Sequence, residues 1–310
     1  MAPPPDLILH NYDFSNYSEK VRLVLGYKAL AWRSCPVQPV VPKPDLMPLT
    51  GGYRRTPVLQ VGADIYCDTH LILRELERRQ PEPTLFPTGL AAIADAIAYW
   101  AENRLFRPIS LYVSGTNLDV LPPTLQADRS VMRGLPIPDE ATVKRAAARQ
   151  APNVRVGIAQ VESLLSDGRP WIAGPAVSEA DFAVYHALWF ITGRTQRLAH
   201  ELAPYRRIGQ WMEGMRAFGH GRVSAITPRE ALDIAAAATP APPRPSQPFP
   251  EDPPLGATVR VRADDYGRDP VEGTLVMIDA HELALRRHDP HVGEVVVHVP
   301  RAGFDLRRLA

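Results

Sequence analysis

The chain has 310 residues, of which 45% are hydrophobic and 22% charged, and a formal net charge of +1. That length excludes a small crosslinked scaffold and predicts two or three domains, while the near-neutral charge excludes a general field for nucleic acid or anionic lipid. Its two cysteines, Cys35 and Cys67, fit neither a metal knuckle nor a redox pair, so a reducing compartment is expected and a structural disulfide is not.

The opening stretch MAPPPDLILHNYD has no basic n-region and no long apolar h-region, and no apolar run approaches the ~20 residues that span a bilayer. A cytoplasmic protein is expected. DLILHNYD alternates as a short strand, and the next segment sets Tyr17, Val21, Val24, Leu25 and Lys28 at helical spacing, with Gly26 an awkward residue for a helix. AWRSCPV reads as a second strand; a proline-rich connection and the turn LTGGYRR lead to the strand TPVLQVG, the short strand IYC and the helix DTHLILRELERR. This order predicts a small mixed sheet with helices beside it over residues 1–85.

Residues 90–234 turn helical: LAAIADAIAYWAENRLFRPIS, NVRVGIAQVESLLSDG, SEADFAVYHALWFI and YRRIGQWMEGMRAFG carry apolar residues three and four apart, which predicts a bundle. Ser178 and Asp181 predict a capping box, and GTNLDVLPPTLQADRSVMRGLPIPDE predicts a long, partly ordered excursion. Residues 235–255 are rich in proline and predict a semi-rigid linker. ATVRVRADDYG, VEGTLVMID, HELALRRHD and GEVVVHVPRAGF are four alternating segments, so residues 256–310 predict a small β-barrel or sandwich that packs against the rest for stability.

SNYSEKVRLVL, RRTPVLQV, YCDTHLI and SEADFAVYHAL stand in an order and spacing that resembles the cytosolic glutathione transferases, most closely their serine- or cysteine-type members, over residues 6 to 230. The resemblance implies a multidomain chain: a thioredoxin-like α/β domain that binds glutathione, an all-α transferase domain, and here an additional all-β module without counterpart in the common transferases. It implies a glutathione transferase of detoxification type, with glutathione as co-substrate, a homodimeric assembly, and neither nucleic acid nor membrane as partner.

A thiol with a reference pKa near 8.5 is mostly protonated at neutral pH, so such an enzyme must favour the anion. A helix N-terminus with unpaired amides and a donating hydroxyl meets that need. Ser15, seven residues before Arg22, falls where serine-type relatives carry the thiolate-stabilising serine, and Asn16 replaces the proline common in those relatives, so its amide is a second candidate. The alternatives are that Ser15 only caps the helix, or that Tyr12 plays the part; Ser18, one turn inside, reads as structural. By resemblance Pro57 is the cis-proline whose preceding residue, Thr56, pairs with the cysteinyl unit. Asp68 and Thr69 stand where relatives have Glu-Ser to hold the γ-glutamyl group, the shorter Asp68 being a departure. Lys43, Arg54 and Arg55 are the cations available to the glycyl carboxylate.

The second substrate, a small hydrophobic electrophile, is expected between the two domains, with Tyr99, Trp100, Phe106, Tyr112, Trp189 and Phe190 as candidate lining. His288, His291 and His298 lack a clustered carboxylate or cysteine partner in the sequence, so no metal site is read from them. Two other functions stay open: a glutathione-dependent isomerase or lyase, and a non-catalytic glutathione-binding or protein-interaction platform in which the C-terminal module does the work.

Overall fold

The computed structural model describes residues 6–309; the reading of residues 1–5 lies outside them. The first unit is built from β1 (Ile8–Asn11), α1 (Asn16–Tyr27), β2 (Ala31–Pro36), the short α2 (Met47–Thr50), β3 (Val58–Val61), β4 (Asp64–Cys67) and α3 (Thr69–Arg79). β1 pairs parallel with β2 and antiparallel with β3, and β3 pairs antiparallel with β4, which is the mixed sheet that the strand and turn signals predict. Gly26 is explained by packing: a Cβ there would lie 2.0 Å from the Gly219 carbonyl oxygen, so only glycine lets the end of α1 meet the 218–219 turn.

The helical unit comprises α4 (Ala91–Trp100), a π turn over Ala101–Leu105, α5 (Phe106–Thr116), α6 (Pro123–Met132), α7 (Glu140–Leu164), α8 (Glu179–Thr192) and α9 (Arg206–Arg216). The π turn lies just before Pro108, which has no N–H to give to the helix ladder. The excursion expected between the first two helices contains α6, which starts with Pro123 at a position where a missing N–H costs nothing. α7 begins at Glu140, well before the expected segment, and carries Pro152 within its 25 residues. Asp181 returns to the Ser178 amide at 3.0 Å as the capping box predicts, and its other oxygen accepts from the Ile172 amide and the Trp211 indole.

Beyond α9 the chain comes back to the sheet. β5 (Arg222–Ala225) pairs parallel with β2, and α10 (Pro228–Ala237) sets Ala231 against Ile8 and Cys35. The C-terminal module has five strands rather than the four segments expected: β6 (Thr258–Ala263), β7 (Val271–Ile278), β8 (Glu282–Asp289), β9 (Gly293–Pro300) and β10 (Phe304–Arg308). They run antiparallel in the order β10-β6-β7-β8-β9, and β9 pairs parallel with β4, so one ten-stranded sheet passes through the molecule.

Two cores result. The larger joins Leu9, Leu59, Val61, Val21 and Leu71 to Phe182, Leu188 and Met215 of the bundle. The second joins Val58, Ile65, Leu46 and Leu49 to Leu275, Leu285 and Val297 of the module. β3 feeds both, because neighbouring residues on a strand point to opposite faces. Burial of each such side chain stabilises by about 1.5–3 kcal/mol, so the C-terminal strands share their core with the N-terminal unit as a module of that size requires. Among the described residues no helix is long and apolar enough to cross a membrane.

Candidate active site

Ser15 is the N-cap of α1, in extended backbone geometry (φ −80°, ψ 118°), and its Oγ accepts from the Ser18 amide at 3.1 Å. This is the capping role in full, yet it uses only an acceptor lone pair; the hydroxyl proton is still available to a neighbour. Ser18 Oγ is buried without a hydrogen-bond partner, in keeping with a packing role. Asn16 is held from the bundle side: its Nδ2 lies 2.8 Å from His186 Nδ1 on α8. Tyr12 accepts from Arg129 on α6 at 3.0 Å.

Thr56 and Pro57 are joined by a cis peptide bond, and Thr56 Oγ1 accepts from Lys43 Nζ at 2.9 Å. Lys43 also donates to the Arg54 carbonyl at 2.9 Å. Burial pushes the Lys43 ammonium down to about 7; Arg129 and Arg54 add to the effect and Asp128 offsets part of it. Arg54 itself is paired with Asp128 of α6. Asp68 caps α3 from an unusual backbone position (φ 76°) and accepts from the His70 amide at 3.0 Å, with Thr69 buried beside it. Burial raises the Asp68 carboxyl, with Glu102 reinforcing the rise and the His70 amide and Arg55 opposing it.

Several residues of this region gave no signal in the sequence. Tyr17, read there only as part of an apolar stripe, packs at a tilt against His186 with ring centres 4.7 Å apart and meets Phe106 edge-on at 5.4 Å. Burial raises its phenol, followed by Tyr266, Glu102 and Asp68, which places it among the site carboxylates. The π turn brings Glu102 within 2.7 Å of the fully buried Lys20 of α1. Glu179 lies 3.1 Å from His70 and 4.0 Å from Lys20. These pairings depend on contacts between residues about 80 to 170 positions apart, which no local pattern could reveal.

Of the candidate lining, Phe106 pairs its ring with Tyr17 and also with Phe190, whose ring centre lies 5.5 Å away. Tyr112 donates to Glu201 at 2.8 Å, Tyr99 is 72% exposed, and Trp189 lines a separate groove of about 650 Å³ with Gly193 and Tyr205. Trp100 is half-buried against the main core. Among the histidines, His298 is bound on both ring nitrogens, by Glu282 at 2.6 Å and Asp64 at 3.1 Å, while His288 lines a groove on the C-terminal strands. The His291 amide donates to Asp289 at 2.9 Å. Cys67 is fully buried and its thiol is raised by that burial, the behaviour of a structural residue.

The chain matches the N-terminal domain profile of glutathione S-transferase over residues 9–84 and the C-terminal domain profile over residues 145–214. In structure it is similar to a GST-like protein from Pseudomonas syringae, with 37% identity, a TM-score of 0.80, and coverage of 98% of this chain and 100% of that one. The chain belongs to the glutathione S-transferase family. A glutathione S-transferase from Rhodospirillum rubrum has the same fold at 19% identity and a TM-score of 0.53, covering 68% of this chain and 88% of its own. Another, from Methylobacterium radiotolerans and crystallised with glutathione sulfonate, has 21% identity and a TM-score of 0.52, covering 72% and 98%. No curated protein matches by sequence. The match to the Pseudomonas syringae relative takes in 98% of this chain and so includes the C-terminal strands, whereas the other two leave about 30% of it unmatched.

Proposed function

We propose that the protein is a glutathione transferase that holds the glutathione sulfur as an anion at the N-terminus of α1 and directs it at a small electrophile with an apolar body. The observation that carries this reading is the state of Ser15: a capping oxygen whose proton remains free to donate, at the positive end of a 12-residue helix. The reaction follows from electrostatics and proximity. The thiol loses its proton to solvent, the Ser15 hydroxyl and the α1 amides favour the thiolate, and the sulfur lone pair forms a C–S bond as the leaving group departs with its electrons.

Asn16 is a second donor toward the sulfur. Thr56 next to cis-Pro57 pairs with the cysteinyl backbone, Thr69 and Asp68 receive the γ-glutamyl end, and Lys43 with Arg54 receives the glycyl carboxylate. The low Lys43 pKa supports this assignment, since a bound carboxylate restores the partner that the ammonium lacks. A cytoplasmic homodimer with a detoxification role accords with the family; Ile93 and Tyr99, exposed on α4, offer it apolar surface.

Ser15→Ala tests the reading. Ultraviolet titration of enzyme-bound glutathione is expected to show the thiol pKa rising by about one to two units, the worth of one charge-assisted hydrogen bond, with little change in glutathione affinity. An unchanged pKa moves the role to Asn16 or to backbone amides. A protein-interaction platform without turnover is favoured by one observation: Ser15, Lys43 and Arg54 are 4%, 3% and 6% exposed, with Asp128 already on Arg54. Failure to be retained on immobilised glutathione together with no conjugation of aryl halides or epoxides would establish that reading instead.

A further inference from the structure

The loop between β6 and β7, residues 264–270, leaves the C-terminal module and reaches the transferase body at the side chain next to Thr56. Arg55 donates to the Asp265 carboxylate and to the Tyr266 carbonyl, and its guanidinium lies 4.1 Å from the centre of the Tyr266 ring. On the opposite flank the Gly267 amide donates to the Met132 carbonyl at the end of α6 at 2.8 Å. A Cβ on Gly267, which has φ +59°, would press on Arg55 Nε and Met132 Cγ at 3.2 Å each. The loop is therefore fitted between the thioredoxin-like unit and α6, with Tyr266 half-buried there and close enough to Tyr17 to act on its phenol.

Around that ring the charges do not balance. Arg54, Arg55, Arg107, Arg129 and Arg133 converge on this region, and the carboxylates paired with them are Asp128 and Asp265. Arg133 lies 5.8 Å from the Tyr266 ring centre and donates to the Arg129 carbonyl at 3.2 Å; neither it nor Arg107 has an ion-pair partner among the described residues. Arg133 and Arg107 are exposed; partial desolvation lowers the Arg133 guanidinium, the Tyr266 phenol opposes that, and the Arg129 and Arg107 charges lower it further. Glutathione's own carboxylates are accounted for by Lys43 with Arg54 and by the N-terminus of α3. The cations of α5 and α6 remain.

Resting on the thiolate reading above, we propose that the acceptor is an anion: a small aromatic or conjugated carboxylate, its charge held by Arg133 and Arg107 and its ring against Tyr266 of the C-terminal loop. The module then has a direct part in the chemistry, because it supplies the wall that selects the acceptor. For a chloroaromatic acid the thiolate sulfur bonds to the ring carbon that carries chlorine, and chloride leaves with the bonding pair; no oxidant or reductant takes part.

The test begins with binding, which needs no reaction. Titration calorimetry of the full chain with dinitrobenzoate and with its methyl ester, in the presence and absence of S-methylglutathione, is expected to show the acid binding about tenfold more tightly at low salt. That is the worth of two exposed guanidiniums, and the gap should narrow as salt screens them. Arg133→Met and Arg107→Met should each reduce the acid-to-ester ratio several-fold, and Arg133→Lys should restore part of it. Equal binding of acid and ester, or a ratio untouched by both Met variants, overturns the inference. Chloride release from a chloro-dinitrobenzoate is measured next. Preferential binding of the acid without any conjugation defeats the transferase reading and leaves the anion site standing; brisk conjugation of the ester with no preference for the acid does the reverse.

Discussion

His298→Phe removes the charge that ties the C-terminal strands to the thioredoxin-like unit while keeping an aromatic ring to stack on Tyr66, which His298 now does at 4.3 Å and 17°. In the native protein an imidazole on β9 stands between Glu282 on β8 at 2.6 Å and Asp64 on β4 at 3.1 Å, with side chains 11%, 5% and 8% exposed. Burial by itself would lower the imidazole pKa; the hydrogen bonds to Asp64 and Glu282 outweigh it and hold the group above its ordinary value. The variant leaves two buried carboxylates facing a phenyl ring. Breaking a buried pair from one side costs about 3–5 kcal/mol, and here the lower end applies, since Asp64 keeps the Ala241 amide at 2.9 Å and Glu282 keeps Arg244.

A loss of about 3 kcal/mol is therefore expected in urea unfolding, read as a lower midpoint at an unchanged slope. The pH dependence carries the sign. A histidine whose folded pKa is raised contributes stability that is fully present below its unfolded value of about 6.5 and is lost as pH rises through the folded value. The gap between wild type and His298→Phe should thus be widest in mildly acidic buffer and shrink on the alkaline side. A loss below about 1 kcal/mol, or a gap that widens with rising pH, would refute the account of this triad as a charged clasp. Adding Asp64→Asn to the variant should recover part of the loss, because it removes one of the stranded charges.

Two further outcomes follow from the same physics. Lys43, near 7 in the free protein, gains a carboxylate partner when glutathione binds, so affinity should be full below pH 7 and fall as pH rises through it; Lys43→Met should bind more weakly and lose that dependence in calorimetry. A chain ending at Ala238 exposes the β4 edge and uncovers Val58, Ile65, Leu46 and Leu49, so it should express as aggregate or show a much lower unfolding midpoint than the full chain. A soluble truncated protein of undiminished stability would show the strands to be peripheral.

Much of the scaffold was legible in the sequence because its signals are local. The strand alternation of DLILHNYD, the Ser178 and Asp181 box, and the turn chemistry of LTGGYRR each act within a few residues. The family motifs likewise sit within short stretches, which is why Ser15, Thr56 and Thr69 could be picked out as candidates. Within the partly ordered excursion α6 carried no periodic signal of its own, since Pro123 stands at its first helical position, and α7 runs through Pro152 to begin at Glu140, ahead of the segment whose apolar spacing is legible. What the sequence withheld depends on distant pairing. The registers of Ile65 with Val297 and of Tyr66 with His298 are recorded in no periodicity, so the C-terminal strands gave no sign that they extend an existing sheet. For the same reason the placement of Tyr266 beside Arg55, across 211 positions, stayed hidden.

The four strands of the thioredoxin-like unit have neither border free. β5 lies along β2 and β9 lies along β4, and the outermost rows of the joined array are the short, exposed β5 and the charged β10. Backbone-to-backbone lateral growth between copies is thereby blocked where the apolar strands are, so self-association has to be written on the helices. A fusion partner, an affinity tag or an engineered linker should accordingly be tolerated at the β10 rim far better than any insertion between β8 and β9.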